Sequence, residues 1–124
     1  MANTRHDNIT KLIKALATNT PDVEASAVID NDGLMIASAL GAGVDDEAVA
    51  AMSAALLGIA ERIVRELGRG AFEMVMTRGS EGYVILMRCG KDAVLSVLTT
   101  SSAKIGLIFM DLRRTAGEVA KLLG

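Results

Sequence analysis

The stretch FEMVMTRGSEGYVILMRCGKDAVLSVLT, residues 72–99, decides the architecture. It holds three apolar segments, Phe72 to Thr77, Tyr83 to Met87 and Ala93 to Thr99, separated by Arg78-Gly-Ser-Glu-Gly82 and Cys89-Gly-Lys-Asp92. Both connections are short and contain glycine, as hairpins require, so the segments are expected to pair as antiparallel neighbours. The second and third carry apolar residues at odd and even positions alike: Val84, Ile85, Leu86 and Met87, then Val94, Leu95, Val97 and Leu98. A strand that is apolar on both sides is covered on both sides. These two belong inside the sheet, and the segment from Phe72 falls at one end of the hairpin series.

Upstream, Ile9, Leu12, Ile13 and Leu16 trace one face of a first helix that Pro21 stops. Residues Val23 to Ile29 alternate, Asp30-Asn-Asp-Gly33 turns, and Leu34-Met-Ile-Ala-Ser38 returns, predicting a hairpin. Asp45-Asp-Glu47 then opens a long helix to about Leu67, with acids at its positive end, Arg62, Arg65 and Arg69 towards its negative end, and Gly68 and Gly70 as the stop. Downstream, Ile105, Ile108, Phe109, Leu112, Ala116, Val119 and Leu123 predict a last helix. The order α-β-β-α-β-β-β-α implies an α+β fold, a five-stranded antiparallel sheet with helices on both faces, built as a single domain over residues 1–124. A chain of that length buries roughly two-thirds of its unfolded surface and needs no staple.

Composition narrows the function. Hydrophobic residues make up 51% of the chain and charged ones 23%, with 13 basic against 15 acidic, which excludes disorder and a general attraction to nucleic acid. Phe72, Tyr83 and Phe109 are too few aromatics for a base-stacking platform. The polar start, Met1 to Asn8, and the lack of a long apolar run predict a cytoplasmic protein with no membrane insertion. No phosphate-cradling Gly-x-x-x-x-Gly-Lys-Ser/Thr stretch occurs, and Gly41-Ala-Gly43 lacks the third glycine of a dinucleotide site. In Asp30-Asn-Asp-Gly33 the glycine comes two positions too early for a calcium loop. With His6 as the sole histidine and Cys89 as the sole cysteine, neither a catalytic triad nor a cysteine-based metal site is expected, and no cofactor either. Cys89 has Arg88 and Lys91 beside it, which would favour a thiolate, but a strand-end cysteine without chemistry is the simpler reading.

Two surfaces look unfinished. On a helical wheel, Val49, Met52, Leu56, Ile59, Ile63 and Leu67 of the long helix cluster together and are expected to cover the sheet. The opposite side carries Ala50, Ala54 and Gly58, with Leu57 as an apolar flank, and only Ser53 is polar between Ala48 and Ala60. Small residues let a second helix approach closely, and the same helix of a second copy is the economical candidate. The end strand likewise offers Phe72, Met74 and Met76 with no proline to block its edge. Edge pairing across a two-fold axis would set both long helices on one face of a continuous sheet. The expected homodimer interface is therefore Ala50, Ala54, Leu57, Gly58, Phe72, Met74 and Met76.

With these elements in place, the chain resembles the Roadblock/dynein light chain family from about Ile9 to Leu123. The carrying stretches are Val28-Ile-Asp-Asn-Asp-Gly-Leu-Met-Ile-Ala-Ser38, the Ala/Leu-rich helix from Asp46 to Leu67, Gly82-Tyr-Val-Ile-Leu-Met87 and Ala93-Val-Leu-Ser-Val-Leu98. The resemblance implies a profilin-like layered fold, a homodimer made through the third strand and second helix, and a non-catalytic role. Members scaffold or regulate small Ras-like GTPases, or act as dynein light chains; the similar prokaryotic proteins are the Mgl-type regulators, which bind their GTPase through the paired helices and stimulate hydrolysis. That points to the exposed part of Asp45 to Arg69 as partner platform, with Arg62 and Arg65 as contacts. The sequence lacks the C-terminal extension of the Mgl-type pattern, so binding is expected without stimulation being required. A solvated arginine face is the plainer reading of Arg62 and Arg65, given Glu61 and Glu66 beside them. Two other functions have their own requirements: a small-molecule sensor needs an apolar cavity with convergent polar groups, to which the strands offer little but Ser96, and an enzyme needs a reactive Cys89.

Overall fold

The structure, a computed structural model, describes residues 4–124; the polar start at Met1-Ala-Asn3 lies outside them. The elements are α1 (Arg5–Asn19), β1 (Val23–Asp30), β2 (Met35–Ala39), α2 (Asp46–Glu66), β3 (Met74–Gly79), β4 (Gly82–Cys89), β5 (Ala93–Thr100) and α3 (Ile105–Leu123). Local chemistry sets their ends. Thr4 caps α1 by accepting from the Asp7 amide, and Asp45 caps α2 by accepting from the amides of Glu47 and Ala48. In the β1–β2 turn, the Asp30 carboxylate accepts from the amides of Asp32 and Leu34, both at 2.9 Å, while Gly33 takes a φ of +88° that favours glycine.

The strands form one antiparallel sheet in the order β2-β1-β5-β4-β3. As the two-sided apolar pattern requires, β5 is central and β4 lies inside, while β3 takes an edge. Helices α1 and α3 share one face. They run antiparallel: the Thr20 hydroxyl donates to Asp111 at 2.8 Å, and Arg5 at the other end of α1 reaches the Leu123 carbonyl. Ile9, Ile13 and Leu16 meet Ile108, Leu112 and Val119 above Val28, Ile85, Leu95 and Val97.

Helix α2 lies alone on the other face, over Ala25, Ala27, Ile29, Leu86 and Val94. Five strands at about 4.8 Å spacing put the outer strands roughly 19 Å apart, whereas one helix is about 10 Å across. One helix therefore leaves part of that face bare.

The orientation of α2 corrects the helical-wheel expectation. Ala50, Ser53, Leu57 and Ala60 turn to the sheet and are at most 9% exposed, whereas Met52, Ile59, Ile63 and Leu67 stand 51–67% exposed. The reason is proximity: small residues on α2 meet Ala25 and Ala27 on β1, so the helix settles close to the strands. A Cβ added at Gly33 would stand 3.3 Å from the Ala54 Cβ, which shows how near the β1–β2 turn comes to the helix. Phe72 also differs from expectation: β3 begins at Met74, and Phe72, 6% exposed, tucks into the α2 core instead of the strand edge.

Candidate interaction surface

The bare part of the sheet and the outer stripe of α2 meet. Met52, Leu56, Ile59 and Ile63 follow one another at three- or four-residue steps, the spacing of neighbours on one helical face. Beside the N-terminal half of this stripe runs an apolar groove of about 290 Å³, walled by Val49, Met52, Ser53 and Leu56 of α2 and by Thr77, Val84, Leu86, Ser96 and Leu98 of the sheet. Val84 is 39% exposed although it sits in an interior strand, because no helix lies over it. Next to it, β3 pairs only with β4, from Met74↔Met87 to Gly79↔Gly82, and its other edge is open. A contiguous apolar surface bordered by an open strand edge is what proteins use for association.

The position of α2 is fixed from its far end. Arg88 of β4 donates to Glu61 of α2 at 2.6 Å and to the Asn31 side chain at 2.7 Å, with its guanidinium 5.8 Å from the centre of the Phe72 ring. The pair ties helix, strand and β1–β2 turn together. Residues 9–99 match the family model described as the Roadblock/LC7 domain.

The chain belongs to the Roadblock/LC7 family. Three uncharacterised proteins of Methanocaldococcus jannaschii are each 38% identical to this Roadblock/LC7 chain over 100 residues, covering 81% of it and 84% to 87% of their own lengths. Among solved structures, Myxococcus xanthus MglB superposes with a TM-score of 0.89 at 18% identity, covering 99% of this chain and 92% of that one. Acanthamoeba castellanii profilin II gives 0.62 at 19% identity, covering 90% and 96%. At such identities the likeness is one of fold, and the fold is the profilin-like Roadblock layer.

The residues expected at the Roadblock/LC7 dimer interface scatter. Ala50 and Leu57, 2% and 1% exposed, are spent on the chain's own core, and Phe72 is too. These three are not free to meet a second copy. Ala54 is half-buried against Gly33, while Gly58 faces open space. Met74 is half-buried on the α3 side and Met76 is 41% exposed; Val75 and Thr77, which alternate with them, look towards α2. Arg62 is exposed and bridges to Glu66 at 3.1 Å; Arg65 is exposed beside Glu61, Phe72 and Arg88. Sequence reasoning missed Met52, Ile59, Ile63 and Val84 as a surface, whereas Val49 and Leu56, expected to cover the sheet, do pack partly against the core under α2. The available signal was Ala25 and Ala27, small residues on the strand side that meets the helix.

Two residues weighed for chemistry are structural. Cys89 is 2% exposed on the α3 side, and burial pushes its pKa up to about 12 despite the nearby Arg88 charge, so the thiol is no nucleophile at neutral pH. His6 Nδ1 lies 2.9 Å from the Ile36 carbonyl, joining α1 to β2. Among the described residues, no group of three or more His, Cys, Asp or Glu side chains could hold a metal, and no helix is long and apolar enough to cross a membrane.

Proposed function

We propose that this protein is a non-catalytic interaction module of the cytoplasm that self-associates through α2 and the β3 edge and scaffolds or regulates a small Ras-like GTPase. One observation carries the reading: the exposed apolar stripe of α2 adjoins both the bare part of the sheet and the open edge of β3. Pairing two β3 edges about a two-fold axis would bring two such surfaces together, each covering what the other leaves uncovered. Met52, Ile59, Ile63 and Val84 form the exposed apolar centre of the proposed contact, with half-buried Leu56 beside them, Gly58 at the margin, and Met76 on the other face of the β3 edge. The GTPase as partner follows from family resemblance, and the exposed arginines Arg62 and Arg65 towards the C-terminal end of α2 offer it charged contacts.

Light scattering tests the association. The wild type is expected to be a dimer at micromolar concentration, and the double variant Met52→Glu, Ile59→Glu a folded monomer, since both side chains are exposed in the single chain. A monomeric wild type would end this reading. For the partner, a Ras-like GTPase encoded beside the gene should be retained by the immobilised dimer and released by Arg62→Ala with Arg65→Ala.

A further inference from the structure

The sheet face that carries α1 and α3 also has an uncovered strip. Helix α1 lies over β1 and β2, and α3 over β4 and β5, so β3 extends past α3 with neither helix above it. On that side β3 shows half-buried Met74 and exposed Met76, followed by Arg78, which stacks over the Tyr83 ring. A groove of about 340 Å³ runs between the strip and α3, with Met74 and Met87 on its floor. Its helix wall is Arg113, Ala116, Gly117 and Ala120, and there is room beside it: a Cβ added at Gly117 would meet nothing within 4 Å. Methionine side chains adapt to many shapes, and a groove lined by them suits the apolar face of an incoming helix.

Pairing of two β3 edges would turn this strip into a trough. Helix α3 stands over the seam of β4 and β5, about one and a half strand spacings from β3, so across the two-fold axis the two α3 helices are about four spacings, or roughly 19 Å, apart. Packed helices stand about 8–10 Å from one another. One further helix therefore fits midway, touching both walls. The second copy does not fill the space, because its α2 lies on the opposite face of the sheet and its α3 forms the far wall.

We propose that the paired chains bind one amphipathic helix of a partner protein in this trough, its apolar face on the methionines and acidic side chains along both flanks. The site rests on the β3 pairing proposed above. Charge selects the flanks. Arg113 is exposed and has no salt-bridge partner among the described residues, and Arg78 stands at the end of the strip. Arg88 is neutralised by Glu61, and Glu73 is the one acid in the groove lining. The whole α1 and α3 layer agrees: residues 5–19 and 104–123 hold seven basic and three acidic residues, whereas the rest of the chain holds six and twelve. A helix with basic flanks would meet like charge on both walls.

The test uses two synthetic helical peptides of about 18 residues, close to the length of α3, that share one leucine and alanine face. One carries glutamate on its flanks and the other lysine. Each is titrated into the isotope-labelled full chain while backbone amide shifts are followed, with calorimetry for stoichiometry and light scattering for molar mass. The glutamate peptide is expected to bind once per dimer, to move the amides of Met74, Met76 and Gly117, and to bind about tenfold more tightly than the lysine peptide. Gly117→Leu, at an exposed helix position, fills the groove and should abolish binding without changing the molar mass. Arg113→Glu should weaken binding about fivefold. A monomeric wild type would end the trough together with the pairing it rests on. With a dimeric wild type, the trough alone is overturned by absent shifts, two peptides per dimer, no preference for glutamate flanks, indifference to Gly117→Leu, or shifts centred on exposed Leu107 and Met110.

Discussion

Arg88 Nη2 and Glu61 Oε2 stand 2.6 Å apart across the junction of β4 and α2, with the arginine side chain 17% exposed and the glutamate 42%. The two ends are not equivalent. Arg88 also serves Asn31 and stands over Phe72, whereas this arginine is the only salt-bridge partner of Glu61 among the described residues. Arg88→Ala should therefore cost about 2–3 kcal/mol of stability and Glu61→Gln about 1 kcal/mol. Urea unfolding of both variants checks this, and equal costs would refute the hub role given to Arg88.

The two faces of α2 should separate cleanly by mutation. Leu57→Ala opens a cavity at a position 1% exposed and is expected to cost about 2–4 kcal/mol. Ile63→Ala, at 51% exposure, should change the stability of a monomeric background by no more than about 0.5 kcal/mol. The Met52→Glu, Ile59→Glu variant provides that background. The opposite ranking would restore the large-residue face to the core.

Glycines divide in the same way. A Cβ at Gly58 meets nothing within 4 Å, so Gly58→Ala should stabilise the single chain by up to about 1 kcal/mol through helix propensity. A Cβ at Gly82 would run into the Thr99 carbonyl oxygen of the central strand, so Gly82→Ala should cost more than about 2 kcal/mol. Thermal unfolding distinguishes the signs. If Gly58→Ala also weakens pairing, the second copy comes within backbone distance of α2 there.

Cys89 should resist alkylation in the native protein at pH 8 and react at an ordinary thiol rate once unfolded. The same burial makes stability fall with rising pH. Because the folded pKa lies above the ordinary value, the contribution is fully present below about 9 and is lost between there and about 12. Cys89→Ala should flatten that part of the alkaline unfolding profile. An unchanged profile would mean that other groups govern it.

The element order could be read from the sequence because glycine-containing turns and helix caps punctuate it locally: Asp30 to Gly33, Asp45 and Gly82 each mark a boundary that the structure keeps within a residue or two. The face that α2 turns to the sheet could not. Periodicity reports that Met52 and Leu57 lie on different sides of a helix, and when both sides are apolar it is silent on which one meets the strands. Only the small partners Ala25 and Ala27 decide that, and they come from a distant segment. Phe72 follows the same logic, since its place under α2 depends on Arg88 and on the helix above it. The Arg88 clamp joins residues 27 and 57 positions away, beyond any local pattern. The groove at Ser96 needs three strands and a helix in place before it exists.

The strand order has a consequence for biosynthesis. β1, made early, finds one of its two neighbours in β5, which leaves the ribosome only after β2, α2, β3 and β4. Until then its edge and the apolar side chains of Val23 to Ile29 stay uncovered, and loop closure over the intervening chain must precede the contacts that reward it. The nascent protein thus carries β1 with one edge unpaired through most of its synthesis, so truncation before Ala93 removes the strand that completes the middle of the sheet and should leave a product that chaperones hold and proteases clear.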